Sequence, residues 1–256
     1  DLLTLNILIG VLVIIYTVSG GTKAVSVTQK QQMAVIFIGM FAAFFLIISY
    51  LPEDISFTNA LQIAGASDKM KVLDFSFDLN NRYTVWTGFL GGTFLMLSYF
   101  GTDQSQVQRY LSGKSVRESQ LGLIFNGFLK VPMQFFILLV GVMVFVFYQF
   151  NASPVNFNPA ATKAVMESSY AEEYAEVQKT HRGLEEEKKT LQMQLGTGSG
   201  DEITRDRIKE LNAQEYKNRE RAKEIILKAD ETVETNDKDY VFIHFILNNL
   251  PRGLIG

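Results

Sequence analysis

Four long stretches of this chain carry almost no charge, and each is long enough to cross the hydrocarbon core of a bilayer, which takes roughly 20 apolar residues. They cover residues 2–18, 32–51, 83–102 and 119–150. The first is built from Leu, Ile and Val around Asn6 and Gly10. The second centres on Ile36-Phe37-Ile38-Gly39-Met40-Phe41. The third is rich in Gly, Phe and Leu, and the fourth carries one charge, Lys130. Core helices of a soluble protein would show polar faces at a period of 3.6 residues. These segments are apolar all round, which predicts an all-α, multi-pass membrane protein with the lipid bilayer as a partner.

Composition enters through its distribution. Residues 163–239 hold 33 of the chain's 51 charged side chains, 19 acidic and 14 basic. The remainder has too few charges to solvate a soluble domain. No basic excess provides a footprint for nucleic acid. With no Cys and only two His, the sequence offers neither a disulfide framework nor a thiolate or His-based metal site. It also lacks a nucleophile paired with a base and a phosphate loop, so it does not read as an enzyme. The chain opens at Asp1 beside an apolar stretch and closes at Gly256 as another begins, and both ends are expected to be cuts in a longer protein.

Loop charge orients the spans, because Lys and Arg are retained on the cytoplasmic side. Segment 19–31 carries Lys23 and Lys30 with no acid, and segment 103–118 carries Arg109, Lys114 and Arg117 against two acids. Both are expected inside. Segment 52–82 has five acids against three bases, and 151–239 is the acidic stretch already described. Both are expected outside. The protein is therefore placed in a cell membrane, a bacterial inner membrane being the expected setting.

Within the outer segment, Tyr170, Tyr174, Val177, Leu184, Leu191 and Leu195 recur at three- and four-residue spacing, with His181 and Lys188 in the gaps. This is a heptad-like, coiled-coil pattern over one helix, 163–195. Gly196-Thr197-Gly198-Ser199-Gly200 ends it, and Ser199 with Glu202 has the form of a capping box for a second helix bearing Ile203, Ile208, Leu211, Ile225 and Ile226. The two predict an external helical hairpin within 151–239. It reads either as a solvated insertion or as a docking surface for a partner or a second copy through 163–229. His181 reads as a packed residue rather than a ligand. Residues 240–256 predict a surface helix, too short to span, followed by the start of a fifth, truncated membrane helix.

Several motifs resemble the sodium:solute symporter family, which contains the sodium/sugar cotransporters. Gly20-Gly21-Thr22-Lys23-Ala24-Val25 is similar to the family's inner-loop Gly-Gly-Leu-Lys-Ala-Val. Ser98-Tyr99-Phe100-Gly101-Thr102-Asp103-Gln104, continuing through Val107-Gln108-Arg109-Tyr110-Leu111 to Gly113-Lys114-Ser115, resembles its Thr-Asp-Gln, Val-Gln-Arg and Lys-Ser stretch. Leu250-Pro251-Arg252-Gly253-Leu254-Ile255-Gly256 looks like the opening of its next span.

The resemblance implies an inverted-repeat (LeuT-like) transporter with discontinuous helices. It implies sodium-coupled uptake of a small polar solute by alternating access, with sodium bound by residues outside this chain. The third span would be a broken helix beside the solute. Tyr99 falls where sugar-transporting relatives close the inner side of the binding cavity, with Phe100 beside it. Met96 stands where a sugar-binding relative has Asn, which argues against a pyranose held in the same way. Lys130 matches a substrate-contacting lysine of those relatives, and a charge at that depth of a membrane helix is a functional hypothesis by default. Asn126 and Gln134 share its face. At the inner mouth lie Asp103, Gln104 and Arg109; Asp103 either meets departing sodium or pairs with Arg109. An alternative reading is a symporter-like membrane sensor or assembly module that uses the hairpin for signalling.

Overall fold

The computed structural model describes residues 2–71, 73–78, 84–111, 113 and 115–253, with all side chains except those of Leu2, Thr22, Ser105 and Arg109. Every regular element among them is helical. The chain forms two compact units, residues 1–42 with 73–135 and residues 43–72 with 136–256.

Helix α1, Leu2–Ser49, covers the first two apolar stretches and the segment between them. It is interrupted only at Gly21, whose φ of 56° and ψ of −155° suit glycine alone. Segment 19–31 therefore differs from the loop that its polarity suggested. Apart from Gly20-Gly21 it contains no helix breaker, so backbone hydrogen bonding continues through it. On either side of the break, Leu3–Gly21 and Lys23–Ser49 are each long and apolar enough to cross a membrane, as is Val116–Phe150.

In the first unit, residues 73–78 are hydrogen-bonded to the start of α3, Val85–Gly101. Thr84 and Thr87 form a reciprocal cap there: the Thr87 N–H donates to the Thr84 hydroxyl at 3.2 Å and the Thr84 N–H to the Thr87 hydroxyl at 3.0 Å. The extended segment is held to the helix by the Val85 N–H on the Asp74 carbonyl, 2.8 Å, and by the Trp86 indole N–H on the Phe75 carbonyl, 3.1 Å. Tyr83, at the expected start of this span, lies outside the described residues. A short helix, α4 (Gln104–Leu111), follows α3, and α5 occupies Val116–Phe150 with Pro132 in its interior. Most large apolar side chains of α3 and of the first half of α5 face outward, as lipid-contacting positions do.

The second unit has a packed core. Ser56 caps α2, Phe57–Ala66, by accepting from the Asn59 N–H, and Ala60, Ile63 and Ala64 form its buried stripe. α6 spans Pro159–Met166, with Asn158 as cap and proline at its first position. α7 spans Ala171–Gly196 and α8 Glu202–Ala229. Instead of one helix over 163–195, the chain turns between α6 and α7, where the Ser168 hydroxyl accepts from the Tyr170 N–H at 3.1 Å. The cap of α8 is Asp201 rather than Ser199. Its carboxylate takes both the N–H and the hydroxyl of Thr204, at 2.9 and 2.8 Å, whereas the Ser199 hydroxyl is turned to Thr197.

Glu187 meets Arg207 at 2.6 Å, the Asn218 amide donates to the Val177 carbonyl at 3.0 Å, and Glu173 meets Arg221 at 3.5 Å. Partners descend α7 as they ascend α8, so the two helices run antiparallel. Tyr174, Val177, Ala222, Ile225 and Ile226 close one apolar cluster with α6. Leu195 and Ile208 belong to a second cluster with Ile47, Ile63, Met143 and Phe245. A Cβ at Gly196 would overlap the end of the Ile55 side chain, so any larger residue there would have to displace it. Arg219 of α8 reaches Glu215 and Asp237, each at 3.5 Å, and the Pro154 carbonyl at 3.1 Å. α9, Lys238–Asn249, buries Phe245. Of the expected start of a further span, 253–256, all but Gly253 lies outside the described residues.

Candidate solute site

The end of α3 carries the sequence-predicted aromatic pair. The Tyr99 and Phe100 rings meet edge-on with centroids 5.3 Å apart, and Phe100 stacks on Tyr110 of α4 at 5.7 Å. Tyr110 was missed as a site residue, although it sits inside the quoted Val107–Leu111 motif; an aromatic ten positions beyond Phe100, across a turn, was the available signal. Asp103 forms the corner between the helices. Its N–H donates to the Ser98 carbonyl at 3.1 Å, and its own carbonyl accepts from Gln106 and Val107 at 3.1 and 2.9 Å. Gln104 is the exposed first residue of α4. The Arg109 side chain lies outside the described residues, and with it the expected Asp103–Arg109 pair.

α3 is a continuous helix from Val85 to Gly101, so the break expected within the third span is not there. Gly88, Gly91 and Gly92 keep helical geometry, and the chain departs from it at Thr102–Asp103. Small residues on this face leave a groove of about 660 Å³ floored by Gly88, Gly92 and Thr93 and bounded by Met96 and Phe100. Its lining is almost entirely apolar.

Lys130 and Gln134 lie one helical turn apart on α5, both exposed, two residues either side of Pro132. Neither has a hydrogen-bond or ion-pair partner among the described residues. A lysine in this position on an apolar helix presents an uncommitted positive charge, which suits an anion or the oxygens of a polar solute. The rings at the α3–α4 corner supply a flat apolar surface.

These motifs and helices match a known family model over residues 2–178, that of the sodium:solute symporter family. The chain belongs to this family. The symporter family is one of transporters, not enzymes, and its description names sodium as a transported ion rather than a resident cofactor. Among its relatives, sodium-coupled monocarboxylate transporter 2 of Mus musculus is 35% identical over 117 residues, 46% of this chain and 18% of the relative. The sodium/iodide cotransporter of Homo sapiens is 32% identical over 142 residues, 54% of this chain and 21% of the relative. The sodium-dependent multivitamin transporter of Oryctolagus cuniculus is 32% identical over 145 residues, 55% and 22% respectively. The chain thus spans about a fifth of the length of these symporters. No solved structure matches it. Most of α7 and all of α8 and α9 lie beyond the stretch matched by the symporter family model.

Proposed function

We propose that this chain is the central part of a sodium-coupled symporter that takes up a small anionic solute by alternating access within an inverted-repeat membrane fold. The observation that carries this reading is the family match over residues 2–178, which includes every apolar span and both candidate site segments. The spans over 2–18, 32–51, 83–102 and 119–150 cross the membrane, and the α7–α8 hairpin stands outside, on the side assigned to the acidic loops. Sodium binds residues outside this chain.

Tyr99 and Phe100, backed by Tyr110, form the inner gate, and the Thr102–Asp103 corner is where α3 hinges. Asp103, Gln104 and Arg109 line the inner mouth. Lys130 meets the solute's negative charge, with Gln134 as a neighbouring hydrogen-bonding group. Two observations support an anion over a sugar. Met96 brings no amide to the α3 face, and two relatives carry names that specify anions, monocarboxylate and iodide.

The test is competition. Sodium-driven uptake by the full-length protein is measured in proteoliposomes against a panel of short monocarboxylates, iodide, hexoses and neutral amino acids. Inhibition by anions with hexoses inert is the expected result, and inhibition by hexoses alone would overturn the assignment of solute class.

A further inference from the structure

A cavity of about 460 Å³ opens in the second unit where the end of α5 and the link after it face α7. That volume lies in the range of small-molecule sites. Phe150, Pro154 and Val155 give it an apolar wall, and Tyr148 on the same side is closed off by a 2.7 Å hydrogen bond to His244.

The α7 wall is polar, and its charges divide into committed and free ones. Glu185 accepts the N–H and the hydroxyl of Ser153 at 3.0 and 2.6 Å and faces the His181 Nε2 at 3.4 Å. Lys188 is held by Glu215, which does not line the cavity. Arg182, Glu186 and Lys189 remain, spaced at four and three residues along one face of α7 and without an ion-pair partner among the described residues. Two free cations stand against one free acid. His181, 1% exposed, lines the same cavity, and its Nδ1 has no hydrogen-bond partner. A buried polar atom left unmatched in this way points to a group that completes it.

We infer that this cavity binds a small organic anion, its carboxylate held by Arg182 and Lys189 at the rim and its apolar body lying against Phe150, Pro154 and Val155. The cavity shares no lining residue with Lys130 or the α3 aromatics, and the inference does not depend on the transport reading.

The experiment is equilibrium binding to the full-length protein in lipid nanodiscs, in sodium-free buffer. Benzoate is the probe, with benzyl alcohol and benzylammonium as neutral and cationic counterparts. Saturable benzoate binding is expected, with both counterparts at least tenfold weaker. Charge reversal in an Arg182→Glu/Lys189→Glu variant is expected to weaken benzoate at least tenfold. The milder Arg182→Gln/Lys189→Gln variant should give an intermediate loss, and it provides the comparison if charge reversal disturbs folding. Absence of saturable benzoate binding, equal binding of benzylammonium, or unchanged affinity in the glutamine variant would each overturn the site. Lys130→Ala separates the two ideas: it should leave this binding intact even where it stops uptake. Loss of the Arg182/Lys189 dependence with uptake preserved would sink the cavity site alone.

Discussion

In the proposed function, Lys130 is the residue that meets the solute's charge. A lysine a dozen residues into an apolar helix costs several kcal/mol unless it meets a partner or a wet cavity. In the structure it is exposed and without a partner among the described residues, so removing it breaks no internal contact. Lys130→Ala should reduce solute uptake more than tenfold while expression and thermal stability stay at wild-type levels; wild-type transport would show that the charge has no role. Lys130 was legible in the sequence because a lone charge in a span stands out. Tyr110 was not, since its partnership with Phe100 exists only once the Thr102–Asp103 corner brings α4 back against α3. Gly21 was read as part of a motif, whereas its positive φ and its role as the single break in α1 are properties of the backbone.

At the scale of elements, the long apolar helices were legible and their interruptions were not. Lack of charge over about 20 residues marks a span by itself. By contrast, α2, α4 and α6 are helices of 8 to 10 residues with mixed composition; α2 and α6 are stabilised by side-chain caps and by α7 and α8, mostly far away in sequence, and α4 by Phe100 of α3. The heptad-like stripe of α7, with Lys188 in one of its gaps, foretold a buried seam but not that Lys188 would be only 4% exposed and paired with Glu215. Removing the lysine leaves the Glu215 carboxylate, 19% exposed, with Arg219 alone at 3.5 Å, so Lys188→Ala should destabilise the second unit by about 2 kcal/mol. Lys188→Met/Glu215→Leu should recover most of that, measured by chemical denaturation followed through helical circular dichroism. A single alanine variant as stable as wild type would show the pair to be idle.

Two groups give the same unit an acid sensitivity. Burial alone would raise the Glu185 carboxyl, but hydrogen bonds from His181 and Ser153 outweigh it and hold the group below its ordinary value of 4.5. Burial also pushes the His244 imidazole below its ordinary 6.5. In both cases the unfolded chain takes up the proton first as pH falls. The stability they contribute is therefore complete above the ordinary values and is lost on acidification through the lowered ones. Melting temperature should be level from pH 8 to about 6.5, decline below that, and decline again below about 4.5. His244→Gln should remove the upper step. A melting temperature that rises on acidification would contradict this assignment.

For the molecule as a whole, hydropathy and loop charge together yielded the class, and ordered motifs yielded the family, which the match over residues 2–178 establishes. The acidic outer segment reads in sequence as an insertion set apart from the spans. In the structure Leu195 and Ile208 of the α7–α8 pair share a core with Ile47 and Met143, and the Gln192 amide donates to Gln149 of α5 at 3.3 Å. Of its heptad-like seam, Tyr174, Val177 and Leu195 are buried within the chain and Tyr170, Leu184 and Leu191 half-buried, while Ile203, Tyr216 and Leu227 are separate exposed apolar residues. Composition could not reveal this, because the residues that join the two regions are few and widely spaced in sequence.

The central claim is that an inward sodium gradient drives solute through this protein. Its most direct test is uptake of a labelled short monocarboxylate by the full-length protein in proteoliposomes, with external sodium compared against potassium or choline at equal ionic strength. The account predicts accumulation above the external concentration in sodium alone, collapsing when the gradient is dissipated. Uptake of equal size in all three salts, for this solute and for every other in the panel, would contradict it.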